Sequence, residues 1–165
     1  MKKYLVLICL LSSSLAYSQN YQMHSVFMYS FTRYVQWPDA YNQGDFEIVV
    51  LGDSPIIEEL KKLAQAKKVG DRSIKVTRIN TPAEIKKCNI LFIPADKSAQ
   101  LPDVLIKVGA NSTLVATEQP GLGLKGSAVN FISKDGKLAF EMNQAVMTKQ
   151  KLKASNELTR LAIVI

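Results

Sequence analysis

The chain is poor in the residues that usually carry chemistry. Its 165 residues include two cysteines, one histidine and one tryptophan. Cys9 falls in an N-terminal apolar run, so Cys88 is the one thiol left to a mature domain, and no intramolecular disulfide is available there. Cys88 precedes the apolar run Asn89 to Ile93, which reads as a buried strand, so the thiol is expected to be inert, with an intermolecular bridge as the lesser alternative. A zinc site lacks ligands with His24 as the sole histidine, and His24 reads as a partly buried structural residue on the first helix. No serine stands in a G-x-S-x-G elbow, and any Ser-His-acid or Cys-His arrangement would depend on His24. Beyond the N-terminus there is no apolar run of about 18 residues, which excludes a recognisable membrane-spanning helix. Basic residues are not interleaved with aromatics, so nucleic acid is a poor partner. No enzyme activity, cofactor or metal is expected.

One motif invites a contrary reading. Gly121-Leu122-Gly123-Leu124-Lys125-Gly126 matches G-x-G-x-x-G. That fingerprint binds a dinucleotide when a strand leads in and a helix leaves with its N-terminus on the phosphates. Here Gln119-Pro120 precedes it and a strand-like run follows, so a glycine-rich loop is the better reading.

What is present begins with an address. Lys2 and Lys3, the apolar stretch Tyr4 to Leu11, and Ala16-Tyr17-Ser18 make a secretory signal with cleavage expected near Ser18. Bulky Ile8 before Cys9 argues against a lipoprotein. Removing residues 1–18 leaves residues 19–165 as one domain of 147 residues, expected to work in the periplasm. Losing Lys2 and Lys3 lowers the formal net charge from +7 to +5. The remaining excess clusters at Lys61-Lys62, Lys67-Lys68, Lys86-Lys87 and Lys149 to Lys153, as solvated helix faces or as attraction to anionic lipid or an acidic partner.

Met23, Phe27, Phe31, Tyr34 and Pro38 keep helical spacing, with Gln22, Ser25, Tyr29, Arg33 and Gln36 opposite, and predict an amphipathic helix over 20–36 closed by Trp37-Pro38. Asp45 to Leu51 reads as a doubly buried strand. Ser54-Pro55 opens a helix to about Lys68, and Arg72 to Ile79 alternates as a strand. A short helix from Thr81-Pro82 to Lys87, strands at Asn89 to Ile93 and Thr113 to Ala116, and a helix around Val104 to Val108 follow. Asp135-Gly136 between two alternating runs predicts a hairpin. Leu158, Leu161, Ala162 and Ile165 behind Ser155 predict a C-terminal helix. The expected fold class is α/β, a three-layer α/β/α sandwich with a mostly parallel sheet and a C-terminal antiparallel hairpin.

Five residues stand out as candidates for binding a partner. Tyr29 and Arg33 lie one turn apart on the polar face of the first helix and lead to Trp37; Arg and Trp are favoured interface anchors. The alternative is that Trp37 plugs the core and Arg33 is solvated. Glu141 and Asn143 occupy the polar side of the last long strand, facing solvent or tied to Arg33 or to the loop 121–126.

Taken in order, several segments resemble the YfiR family of small periplasmic proteins. They are Tyr29-Ser30-Phe31-Thr32-Arg33-Tyr34-Val35-Gln36-Trp37-Pro38, Ile48-Val49-Val50-Leu51-Gly52, Gly70-Asp71-Arg72, Cys88-Asn89-Ile90-Leu91-Phe92-Ile93, Phe140-Glu141-Met142-Asn143, and Lys151 to Ser155 with Leu158, Leu161 and Ala162. The resemblance implies a three-layer periplasmic domain, often dimeric, without catalysis. Its best-studied members bind the periplasmic part of a membrane-bound diguanylate cyclase, hold it inactive, and release it under envelope stress to raise cyclic di-GMP. Those relatives carry intramolecular disulfides, and a chain with one mature cysteine departs from them there. The leading expectation is therefore a periplasmic regulatory subunit that binds and represses an inner-membrane signalling receptor, a diguanylate cyclase or sensor kinase, with homodimerisation left open. The second is a small-molecule binding module using Gly52-Asp53-Ser54 and Asp96-Lys97-Ser98 at the carboxyl ends of the strands.

Overall fold

The computed structural model describes residues 21–165. The expected leader and its cleavage point at Ser18 lie outside the described residues. Among the described residues no helix is long and apolar enough to cross a membrane.

The first helix, α1, runs through 21–34 and ends where Val35–Gln36 (β1) turns extended ahead of Pro38. There follow β2 (Phe46–Leu51), α2 (Ile56–Ala66), β3 (Lys68–Val69), β4 (Arg72–Ile79), β5 (Ile90–Ile93), α3 (Leu101–Val108) and β6 (Leu114–Thr117). The C-terminal part adds β7 (Val129–Lys134), β8 (Lys137–Met142), α4 (Gln144–Lys149), β9 (Lys153–Ala154), α5 (Asn156–Leu161) and β10 (Ile163–Val164). Eight strands form one sheet in the order β10-β8-β7-β6-β5-β2-β4-β3, and β1 pairs with β9 beside it. The central run from β4 to β7 is parallel. The β7–β8 pair is the expected hairpin, closed by Asp135 and Gly136 at φ 51° and 72°, the conformation that Asp-Gly turns favour.

Strands β2, β5 and β6 are buried on both faces because each face is covered. Phe46, Ile48 and Val50 join Ile90, Phe92, Phe131 and Phe140 under α1, α2, α4 and α5. Val49, Leu51, Leu91, Ile93 and Val115 meet Leu101, Val104 and Val108 of α3 on the other side. This is the expected α/β/α sandwich with a mostly parallel sheet.

Details differ where remote pairing decides. The buried stripe of α1 is His24, Met28 and Phe31, rotated from the expected one, and Met23 is left 48% exposed. The aromatic patch of Phe131 and Phe140 sets that rotation: Phe31 lies 6.0 and 5.3 Å from their ring centres, and His24 4.4 Å from Phe131. Helix α2 begins at Ile56, after Pro55, and ends at Ala66 rather than Lys68, because Lys68 pairs with Ser73. The helix expected over 81–87 is one 3-10 turn, Pro82–Glu84, held by a Thr81–Glu84 capping box. The C-terminal helix is capped by Ser155 as expected but stops at Leu161, and Ile163–Val164 become the edge strand beside Glu141–Met142.

Candidate functional site

The sequence candidates separate into three places. Tyr29 and Arg33 lie on the outer side of α1, where Arg33 is exposed and its guanidinium sits 5.7 Å from the Tyr34 ring centre. The Tyr29 hydroxyl donates to the Lys68 carbonyl at 3.3 Å, fixing the helix to β3. Val26, 49% exposed, and Met23 extend this outer face toward the amino end of α1.

Trp37 is 8% exposed, edge-on to Phe46 at 5.2 Å, and its indole N–H donates to the Asn89 carbonyl at 3.3 Å. It belongs to a knot at the amino ends of the central strands. There Asn89, 3% exposed, accepts from the Glu47 N–H at 3.1 Å and donates to the Tyr41 carbonyl at 3.1 Å. Arg72 closes the same end by donating to the carbonyls of Gly44 and Asp45 at 2.7 and 2.8 Å, with its guanidinium 5.3 Å from the Phe46 ring centre.

Glu141 and Asn143 lie on the far side of the sheet and do not meet Arg33. Glu141 accepts from the Asn130 amide at 2.8 Å, and Asn130 Oδ1 lies 2.7 Å from Thr117 Oγ1, itself 2.9 Å from Ser127 Oγ. Asn143 donates to the Gly123 carbonyl at 2.9 Å and caps α4 by accepting from Val146 N–H at 3.0 Å. The tie to the loop 121–126 is thus made by Asn143. Gly123 passes so near that a Cβ there would stand 2.9 Å from Glu141 Oε2. Gly123 and Gly126 serve close approach, Gly121 takes a positive φ of 81° with open space around it, and the loop runs into β7 with no helix to receive a phosphate.

A polar cluster that spacing alone did not reveal sits at the carboxyl ends of β5 and β6. His24 Nε2 lies 3.5 Å from Glu118 Oε2, with side chains 2% and 9% exposed. Glu118 Oε1 accepts from the Tyr21 hydroxyl at 3.1 Å and the Ala95 N–H at 2.9 Å. Burial pushes the Glu118 carboxyl up from the ordinary carboxylate range, opposed by these bonds. Burial, then the Glu118 charge, pushes the Tyr21 phenol up to about 12. His24 and Glu118 floor a groove of about 580 Å³ between α1 and the β7–β8 hairpin, with Met23, Ile132 and Leu138 among its walls. The signal available in sequence was a lone histidine on a helix and an acid directly after a buried strand. Their partnership needs the fold.

Cys88 is 2% exposed and burial pushes its thiol up to about 12, so it is the unreactive cysteine expected. Among the described residues no group of three or more His, Cys, Asp or Glu side chains is placed to hold a metal.

The YfiR/HmsC-like family model matches residues 21–163, nearly the whole described chain. The chain belongs to the YfiR/HmsC-like family. That family is regulatory rather than catalytic. No curated protein matches the chain.

Proposed function

We propose that the protein is a non-enzymatic periplasmic regulator, exported by residues 1–18, whose domain over 19–165 binds a membrane signalling protein and biases it toward its inactive state. The receptor is a diguanylate cyclase or a sensor kinase with a periplasmic part. Family membership supports the class of function. The observation that carries the binding surface is the outer face of α1, where Met23 and Val26 stand about half exposed on the same helix as exposed Arg33. An apolar pair beside an arginine and a tyrosine is the composition of an interface centre. Tyr29 and Arg33 make direct contact and Trp37 fixes the helix end beneath them; Glu141 and Asn143 hold the loop 121–126 on the other side of the sheet and lie outside this face. Switching a two-state receptor from mostly on to mostly off takes roughly 5 kcal/mol of differential binding, within reach of a few buried anchors.

The test is recovery of the receptor from envelope membranes by the mature protein, with cellular cyclic di-GMP as a second readout. Wild type recovers one inner-membrane receptor, and Val26→Asp with Arg33→Ala loses it at unchanged thermal stability. Equal recovery by the variant refutes the α1 surface; no specific receptor with wild type refutes the regulator.

A second reading, a small-molecule site, is favoured by the carboxyl ends of β2 and β5. Gly52 lies against Lys97, whose Cε would stand 2.6 Å from a Cβ at that glycine, so the loops 52–54 and 96–98 adjoin as expected. The Ser98 hydroxyl there is buried without a hydrogen-bond partner. A panel of envelope sugars, amino acids and nucleotides that leaves the melting temperature unmoved would refute it.

A further inference from the structure

The sheet has an open edge beside a groove. β3 covers only the start of β4, pairing Val69 with Arg72 and Lys68 with Ser73. From Ile74 to Arg78 no described strand lies outside β4, a length of roughly 16 Å at about 3.3 Å per residue.

The direction of the backbone groups follows from the pairing. The two-residue turn Gly70-Asp71 makes Val69 and Arg72 the closing hydrogen-bonded pair, so Arg72 points its N–H and C=O outward to β3. By the period of two, Ile74, Val76 and Arg78 point outward as well. The opposite parity checks this: the Ile79 carbonyl faces β2 and accepts from Gly52 N–H at 2.7 Å. Three residues therefore offer ladder donors and acceptors to an incoming strand.

Both sides of that edge are shaped. On the α2 side, Val76, Thr77 and Arg78 face Ile57, Glu58 and Lys61 across a groove of about 760 Å³. Ile57 and Val76 are partly buried and give it an apolar floor, while Asp53 Oδ1 accepts from Arg78 Nε at 2.8 Å at its end. On the other side a hollow sets Lys75, Arg78, Lys86 and Lys87 against Glu47 and Glu84; Lys75 pairs with Glu47 at 3.1 Å and Arg78 with Asp53, so the positive excess there is carried by Lys86 and Lys87, both exposed.

We infer that this edge takes up an extended segment of a partner protein in which apolar and acidic residues alternate. The segment adds to β4 as a further strand, its apolar residues entering the groove over Ile57 and Val76 and its acids, on the opposite face, meeting Lys86 and competing with Glu47 for Lys75. Two copies of the chain would bring two basic patches together, so charge favours an acidic partner over self-pairing. The inference rests on the regulatory reading only for the source of the segment, a periplasmic stretch of the receptor.

The probe is the peptide acetyl-Glu-Val-Glu-Val-Glu-Val-amide, with its lysine-for-glutamate counterpart as control, added to the mature protein and followed by amide NMR and hydrogen exchange. The acidic peptide shifts and protects the amides of Ile74, Val76 and Arg78; the basic one does not. Val76→Pro, which removes the central outward donor, weakens binding about tenfold. Lys86→Glu, an exposed change that spares the backbone, weakens it about threefold. Unmoved β4 amides, unchanged affinity in a folded Lys86→Glu, or the same protection appearing with protein concentration alone, as pairing of two copies would give, each overturns the inference. Capture from envelope membranes separates the two levels. Equal receptor recovery by wild type and Lys86→Glu keeps the regulator and rejects the edge. Peptide binding at β4 with no receptor recovered by wild type keeps the edge and rejects the regulator.

Discussion

Replacing Trp37 by alanine tests whether this residue belongs to the core or to the partner. The side chain is 8% exposed, packs edge-on against Phe46 and bonds the Asn89 carbonyl. An aromatic side chain buries about 150–250 Å². Alanine forfeits roughly 150 Å² of that, which at about 25 cal/mol/Å² is about 4 kcal/mol, in the range of about 3–5 kcal/mol found for large aromatic truncations. The lost hydrogen bond adds little, because the Asn89 carbonyl also accepts from Leu114 N–H at 2.8 Å and is not orphaned. For a domain of this size each kcal/mol moves the melting temperature by about 2–4 °C, so a fall of roughly 10 °C is expected. Trp37→Phe keeps the ring contact and costs about 1–2 kcal/mol. Arg33→Ala, exposed on the neighbouring helix, stays within about 0.5 kcal/mol of wild type. Urea unfolding followed by far-ultraviolet circular dichroism measures all three, since Trp37 is the sole tryptophan and its variants lose the fluorescent probe. A cost below about 1 kcal/mol for Trp37→Ala would refute the core assignment. With total stabilities of about 5–15 kcal/mol, a receptor no longer captured by Trp37→Ala reports a depleted folded state as much as a lost contact. The Arg33 variant carries the interface question.

Two further outcomes follow from the polar clusters. Burial raises the folded-state Glu118 carboxyl above its unfolded value of about 4.5, so its contribution to stability is fully present at lower pH and is lost as pH rises through the raised value. Glu118→Gln, which keeps both acceptor bonds, should therefore gain stability relative to wild type between about pH 4.5 and neutrality in paired unfolding titrations; a constant or reversed difference refutes the desolvation argument. Asn143→Ala removes the α4 cap and the bond to Gly123 and should cost about 1–2 kcal/mol, whereas Asn143→Asp keeps the cap, loses the donor and costs less; equal losses by chemical denaturation would refute the split.

How far the sequence could be read depended on the range of the interaction. Asp135-Gly136 acts within four residues, and the hairpin stood where its turn chemistry put it. The runs around Ile48, Ile90 and Val115 are apolar without alternation, which is the mark of strands covered on both faces, and they became β2, β5 and β6. Strands β1, β3, β9 and β10 are two residues each and carry no period; Val35 is extended because Ala154 lies opposite it. The facing of α1 followed the same logic. Residues 23, 27, 31 and 34 and residues 24, 28 and 31 both make helical stripes, and the choice between them belongs to Phe131 and Phe140 on strands remote in sequence. Glu118 was invisible for this reason: Tyr21 and Glu118 are 97 residues apart.

The residues through which the family resemblance was recognised have mostly structural work. Trp37, Arg72 and Asn89 knot the amino ends of the strands, and Cys88 is packed beneath them against Thr113. Such residues specify the sheet and the setting of α1, and they say little about which receptor is bound. The proposed partner surfaces lie outside the knot: Met23, Val26 and Arg33 on α1, and Lys86 beside the open edge of β4, all exposed. Exchanging the knot residues for those of a relative should therefore leave partner choice alone, while exchanging the exposed set should transfer it. The same division explains how a domain whose described residues hold one cysteine, Cys88, keeps the fold. Its β2–β5–β6 core, the Asn89 knot and the Phe131–Phe140 patch under α1 hold the elements together by packing and hydrogen bonds, so a disulfide there would add stability without adding a surface.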